Sequence, residues 1–137
     1  MDRFLQNGTF GKIFKFNNLG MLMRSVMIVD DESAMREILK IMLRDYKVIE
    51  ASNGKEAVEL YKKEKPDLVL MDIMMPVMSG IDAVKEIKRI DPNAKIIAVT
   101  AYESTKGEKA IEAGVDKILR KPFTRKELLK IVEEYLK

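Results

Sequence analysis

Val26-Met27-Ile28-Val29-Asp30-Asp31 runs four apolar residues into a pair of acids, and Leu68-Val69-Leu70-Met71-Asp72 does the same further along the chain. A short unbroken apolar run ending abruptly in charge is the pattern of a strand buried on both faces. Outward from these two, similar runs place strands at 25–29, 47–51, 68–72, 95–100 and 117–120. Helical periodicity fills the gaps. Met35, Ile38, Leu39, Met42 and Leu43 form one apolar stripe, as do Gly80, Ala83, Val84 and Ile87, and Leu128, Ile131, Val132 and Tyr135. Punctuation agrees: Thr124-x-x-Glu127 reads as a capping box, Asp91-Pro92-Asn93 as a turn and Ala113-Gly114 as a helix end. The chain is therefore α/β, a (βα)5 unit whose right-handed crossovers give one doubly wound five-stranded parallel sheet.

In such a sheet ligands bind outside the carboxyl ends of the strands. Asp30-Asp31 follows the first strand, Asp72 ends the third, Thr100 the fourth, and Lys121 follows the fifth, so the polar chemistry falls on one edge. A single Asp after a strand is commonly a helix N-cap, and Asp31 before Glu32-Ser33 fits that role taken alone. Four polar positions at four strand ends point beyond capping. Three carboxylates facing one lysine carry about −2 of charge, which one divalent cation offsets. An aspartate beside a hard cation is a natural acceptor for phosphoryl groups.

Composition narrows the chemistry. The chain of 137 residues contains no Cys and no His, which excludes thiol nucleophiles, imidazole bases, disulfides and the usual zinc ligands. Any metal is then held by oxygen, favouring Mg2+, Mn2+ or Ca2+. The net charge of +3 is dispersed, with Lys and Glu alternating through 55–65, as on solvated helix faces and unlike a nucleic-acid footprint. No run approaches the roughly 18 apolar residues needed to span a bilayer, so no membrane insertion is expected and a cytoplasmic location is.

Residues 1–22 differ from the rest. They hold four of the five Phe (Phe4, Phe10, Phe14, Phe16), three of the seven Gly and the only Gln. Two readings follow: translation starts at Met21 or Met23 and the upstream residues are not native, or Lys12-Ile13-Phe14-Lys15-Phe16 belongs to a docking extension. Residues 23–137 form the domain.

With Val29-Asp30-Asp31-Glu32, Asp72-Ile73-Met74-Met75-Pro76-Val77-Met78-Ser79-Gly80, Val99-Thr100-Ala101 and Lys121-Pro122-Phe123 in this order, residues 24–137 resemble the CheY-like receiver domain of two-component response regulators. The resemblance implies a flavodoxin-like strand order, 2-1-3-4-5, and a stand-alone switch. It implies Asp72 as the phospho-acceptor, receiving its phosphoryl group from a phosphohistidine of a sensor histidine kinase or histidine phosphotransfer protein. It implies Mg2+, or Mn2+, on Asp30, Asp31, Asp72 and the backbone carbonyl of Met74. Thr100 matches the hydroxyl that bonds the phosphoryl group, Lys121 the ammonium that pairs with it, and Lys121-Pro122 a bond the family keeps cis. Phosphorylation would change affinity for a downstream protein through the fourth and fifth strands and helices.

Three positions qualify what the family pattern implies. Ile118 stands where an aromatic or His is usual, which leaves Thr100 as the main relay. Met74 and Tyr102 stand at positions that in this family border the route of attacking water, and they offer no carboxylate or amide to orient it, so the resemblance implies a long-lived phosphoryl group. An aspartate-nucleophile phosphohydrolase is the alternative from another class. It requires an acid two residues after the nucleophile, where this chain has Met74 after Asp72 and Glu32 after Asp30 without a following Gly-Thr. A receiver fold acting as an unphosphorylated scaffold fits poorly, because all four polar positions are filled.

Overall fold

The computed structural model describes residues 3–7, 12–16, 19–75, 78–101 and 104–136. Along the chain run β1 (Arg3–Asn7), β2 (Lys12–Phe16), β3 (Leu22–Met23), β4 (Ser25–Val29), α1 (Ser33–Met42), β5 (Lys47–Ala51), α2 (Gly54–Glu64) and β6 (Leu68–Asp72). These are followed by α3 (Gly80–Ile90), β7 (Ile96–Thr100), α4 (Ser104–Ala113), β8 (Lys117–Arg120) and α5 (Arg125–Leu136). From β4 onward every strand is followed by a helix. The five strands form one parallel sheet in the order β5-β4-β6-β7-β8, which counted from Ser25 is 2-1-3-4-5.

Two cores explain why the strand sequences are apolar without a break. Met27 and Val29, Val69 and Met71, and Ile96 and Ala98 face one side and pack with Ala57, Val58 and Tyr61 of α2, Ala83, Val84 and Ile87 of α3, and Ala110 of α4. The alternate residues Val26, Ile28, Leu68, Leu70, Ile97 and Val99 face the other side and pack with Leu39 of α1 and its neighbour Leu43, and with Leu128, Ile131, Val132 and Leu136 of α5. Side chains alternate across a strand, so a sheet covered on both faces demands apolar residues at every position.

Four strands coincide with the runs expected from the sequence, and the fourth begins at Ile96 instead of 95. Lys95 stands at the rim, where its Nζ donates to the Tyr135 carbonyl at 2.9 Å. The α1 stripe is narrower than the periodicity suggested. Leu39 and Leu43 are buried, whereas Ile38 is 46% exposed, because a helix on a sheet buries the i, i+4 line nearest the strands and leaves the flank open. The capping box is reciprocal as expected: Glu127 N–H donates to Thr124 Oγ1 at 3.1 Å and Thr124 N–H to Glu127 Oε1 at 3.0 Å. Gly114 ends α4 at φ +115°.

The N-terminal residues carry structure that the sequence reading left unassigned. β1, β2 and β3 pair antiparallel as a separate three-stranded sheet, with Arg3 opposite Phe16 and Phe16 opposite Leu22. The Lys12–Phe16 stretch is thus the central strand of that sheet. β3 straddles the boundary placed between 22 and 23.

Candidate functional site

Asp30, Asp31 and Asp72 meet because β4 and β6 are adjacent and parallel, with Val29 in register with Met71. Both strands stop at the same level, and each offers carboxylates at its carboxyl end. The three side chains can place one oxygen each within 4.8 Å of the others. Asp30 and Asp72 are buried and Asp31 is exposed at the mouth.

Lys121 arrives from β8 by way of its neighbour β7. Its N–H donates to the Thr100 carbonyl at 2.8 Å, extending the ladder one step past the paired Thr100 and Arg120. The Nζ then reaches across to Asp30 Oδ2 at 3.2 Å and Asp72 Oδ2 at 3.7 Å. The Lys121-Pro122 peptide is cis. Thr100 is fully buried at the end of β7, one residue beyond Val99, which is the register partner of Asp72.

The local backbone fixes both buried acids. Asp30 Oδ1 accepts from Glu32 N–H at 2.9 Å, and Asp72 Oδ1 accepts from Met74 N–H at 2.9 Å. Each is an Asx turn that carries the chain away from the strand end. Asp31 does not cap α1; the N-cap is Glu32, without a side-chain bond. Gly80 allows α3 to start directly against this loop, since a Cβ there would lie 2.3 Å from the Asp72 carbonyl oxygen and 2.4 Å from Ile73 Cα. Only glycine permits that approach. Ser79 Oγ caps the same helix by accepting from Asp82 N–H at 3.1 Å.

Burial pushes the Asp72 carboxyl above its ordinary range; the Met74 N–H and Lys121 pull it down, and Asp30 and Asp31 push it further up. The cluster is short of positive charge, with three carboxylates against one ammonium. Hard-cation chemistry matches this donor set: all-oxygen, two acids held rigid by backbone bonds and one open to solvent. Among the described residues no other group of three or more acids gathers in this way.

Every site residue expected from the sequence lies at this sheet edge. Met74 is 54% exposed, and its backbone N–H donates to Asp72 Oδ1. Tyr102, Pro76 and Val77 lie outside the described residues. Ile118 is half-buried and packs against the core on the α2–α4 side of the sheet, so it serves as strand core. The sequence reading missed Arg36, whose Nη1 donates to the Asp30 carbonyl at 2.7 Å. An Arg on an amphipathic helix carries no signal of its own, and only the fold reveals the contact.

Known proteins share this fold. Residues 26–133 match the response regulator receiver domain. The chain is 53% identical over 104 residues to the chemotaxis protein CheY of Thermotoga maritima, covering 73% of this chain and 87% of that one. It is 42% identical over 116 residues to the chemotaxis protein CheY of Halobacterium salinarum, covering 82% and 97%. Among solved structures, the response regulator TrrA of Thermotoga maritima, in complex with Mg(2+)-BeF, superposes with a TM-score of 0.77 at 36% identity, covering 82% of this chain and 99% of that one. With residues 26–133 matched and most of each relative's length covered, the chain belongs to the response regulator receiver domain family, the receiving modules of two-component signal transduction.

Proposed function

We propose that Asp72 accepts a phosphoryl group from a phosphohistidine on a sensor histidine kinase or histidine phosphotransfer protein, and that the phosphorylated chain changes its affinity for a downstream protein. The observation that carries this reading is the buried Asp72 carboxylate, held by Met74 N–H and facing Lys121 at 3.7 Å within the acidic cluster. An Asp72 oxygen attacks phosphorus as the P–N bond breaks, and the electron pair leaves with the imidazole, which takes a proton from water. Phosphoryl transfer requires in-line positioning and neutralised oxygens more than acid–base work.

Mg2+, or Mn2+ in its place, would be held by Asp30, Asp31, Asp72 and the Met74 carbonyl, and when bound supplies the positive charge that the phosphoryl oxygens need. The family resemblance and the Mg(2+)-BeF complex of TrrA support this choice. Lys121 holds Asp30 and Asp72 before transfer and is placed to pair with the product. Thr100, at the end of the adjoining strand, is the hydroxyl placed to bond it. Converting −1 to roughly −2 at Asp72 draws these two groups inward and biases the surface of β7, α4, β8 and α5.

On this reading the chain catalyses only its own phosphorylation and the slow loss of that group. It acts in the cytoplasm, and among the described residues no helix is long and apolar enough to cross a membrane. Incubation with acetyl phosphate tests the acceptor role: labelling is expected with Mg2+ and is lost with chelator, and equal labelling in both would contradict it. Met74 and Tyr102 leave attacking water unoriented, so the phosphoryl group should outlive that on a Met74→Asn, Tyr102→Ala variant. A shorter wild-type lifetime would reject that part.

A further inference from the structure

The acidic cluster has one member held from every side and one held from none. Asp30 donates its N–H to the Ala51 carbonyl at 3.1 Å, and its Oδ1 and Oδ2 accept from Glu32 N–H and Lys121 Nζ. Its carbonyl, beyond the end of β4 and outside the ladder, accepts from Arg36 Nη1 at 2.7 Å. Asp31, the next residue, is exposed and makes no hydrogen bond or ion pair among the described residues. The peptide joining the two is therefore what sets the direction of Asp31.

Arg36 sits in the first turn of α1 and is itself anchored. Its Nε donates to Glu50 Oε1 at 3.2 Å, and Glu50 Oε2 pairs with Lys40 Nζ at 3.2 Å. The Arg36 side chain is only 18% exposed. A chain of contacts thus runs from β5 through Glu50 and Arg36 to the Asp30–Asp31 peptide. We propose that Arg36 is a positioning residue for the cation site, orienting Asp31 through the Asp30 carbonyl. The inference rests on the reading of Asp30, Asp31 and Asp72 as that site.

Charge and positioning make opposite predictions. A guanidinium near a divalent cation repels it, so if charge dominated, removing Arg36 would tighten binding. If positioning dominates, removal weakens it, as loss of partners that orient metal ligands does in general. Titration of the full chain with Mg2+ alone, followed by calorimetry, separates the two. Arg36→Met is expected to raise Kd about tenfold, and Arg36→Lys, which keeps the charge but not the two-pronged geometry, about threefold. Kd values within twofold of wild type in both variants, or tighter binding in Arg36→Met, would overturn the proposal. Arg36→Lys carries the test if Arg36→Met fails to fold. A wild type that binds no Mg2+ removes the cation-site reading and this inference together; a wild type that binds while both variants match it removes this inference alone.

Discussion

Asp31 and Tyr61 show how differently two polar side chains are used in one domain. Asp31 is exposed and makes no bond of its own among the described residues, so replacing it should cost the fold little. On the proposed function, its value lies in the cation. Mg2+ at a hundredfold over its Kd should stabilise the wild type by about 2.7 kcal/mol, and Asp31→Asn should abolish most of that shift while melting like wild type in chelator. An unchanged Mg2+ shift in thermal melts would contradict its role. Tyr61 is structural: its hydroxyl donates to Asp91 Oδ2 at 2.7 Å, and burial followed by that bond pushes the phenol well above its usual range. The folded chain then keeps a proton that the unfolded chain loses above about pH 10, so this contribution is whole below that pH and declines as pH rises further. Tyr61→Phe should cost about 1.5 kcal/mol at neutral pH and flatten the alkaline loss of stability. An equally steep alkaline limb in denaturant melts would refute the assignment.

At the level of elements, the site depends on how closely α3 approaches β6. Gly80 leaves no room for a methyl group, since the atoms it would meet are backbone of Asp72 and Ile73. Gly80→Ala should lower stability by about 3 kcal/mol and slow labelling by acetyl phosphate beyond what the stability loss explains. Full labelling at wild-type rate would show that the loop tolerates displacement. The strands were legible in the sequence because burial on both faces leaves continuous apolar runs, and the acids because each interrupts one. The width of the α1 stripe was not, since Ile38 and Leu39 are equally apolar and only docking on the sheet separates them. Nor was the Arg36 contact, which joins a helix side chain to a carbonyl six positions away through a loop whose path the sequence does not specify.

In the molecule as a whole, the five-stranded sheet and both cores lie within residues 25–136, and among the described residues β1, β2 and β3 pair only with one another. The small N-terminal sheet escaped the sequence reading because Arg3–Asn7 and Lys12–Phe16 mix charged, polar and aromatic residues without the apolar continuity of the central strands. A chain beginning at Met23 is therefore expected to fold and to accept a phosphoryl group as the full chain does. The central claim is that one residue, Asp72, takes that group with the help of a cation. Intact mass after acetyl phosphate and Mg2+ tests it most directly: the wild type should gain a single adduct of about 80 Da and Asp72→Ala none. An unmodified wild type, or an equal adduct on the variant, would contradict it.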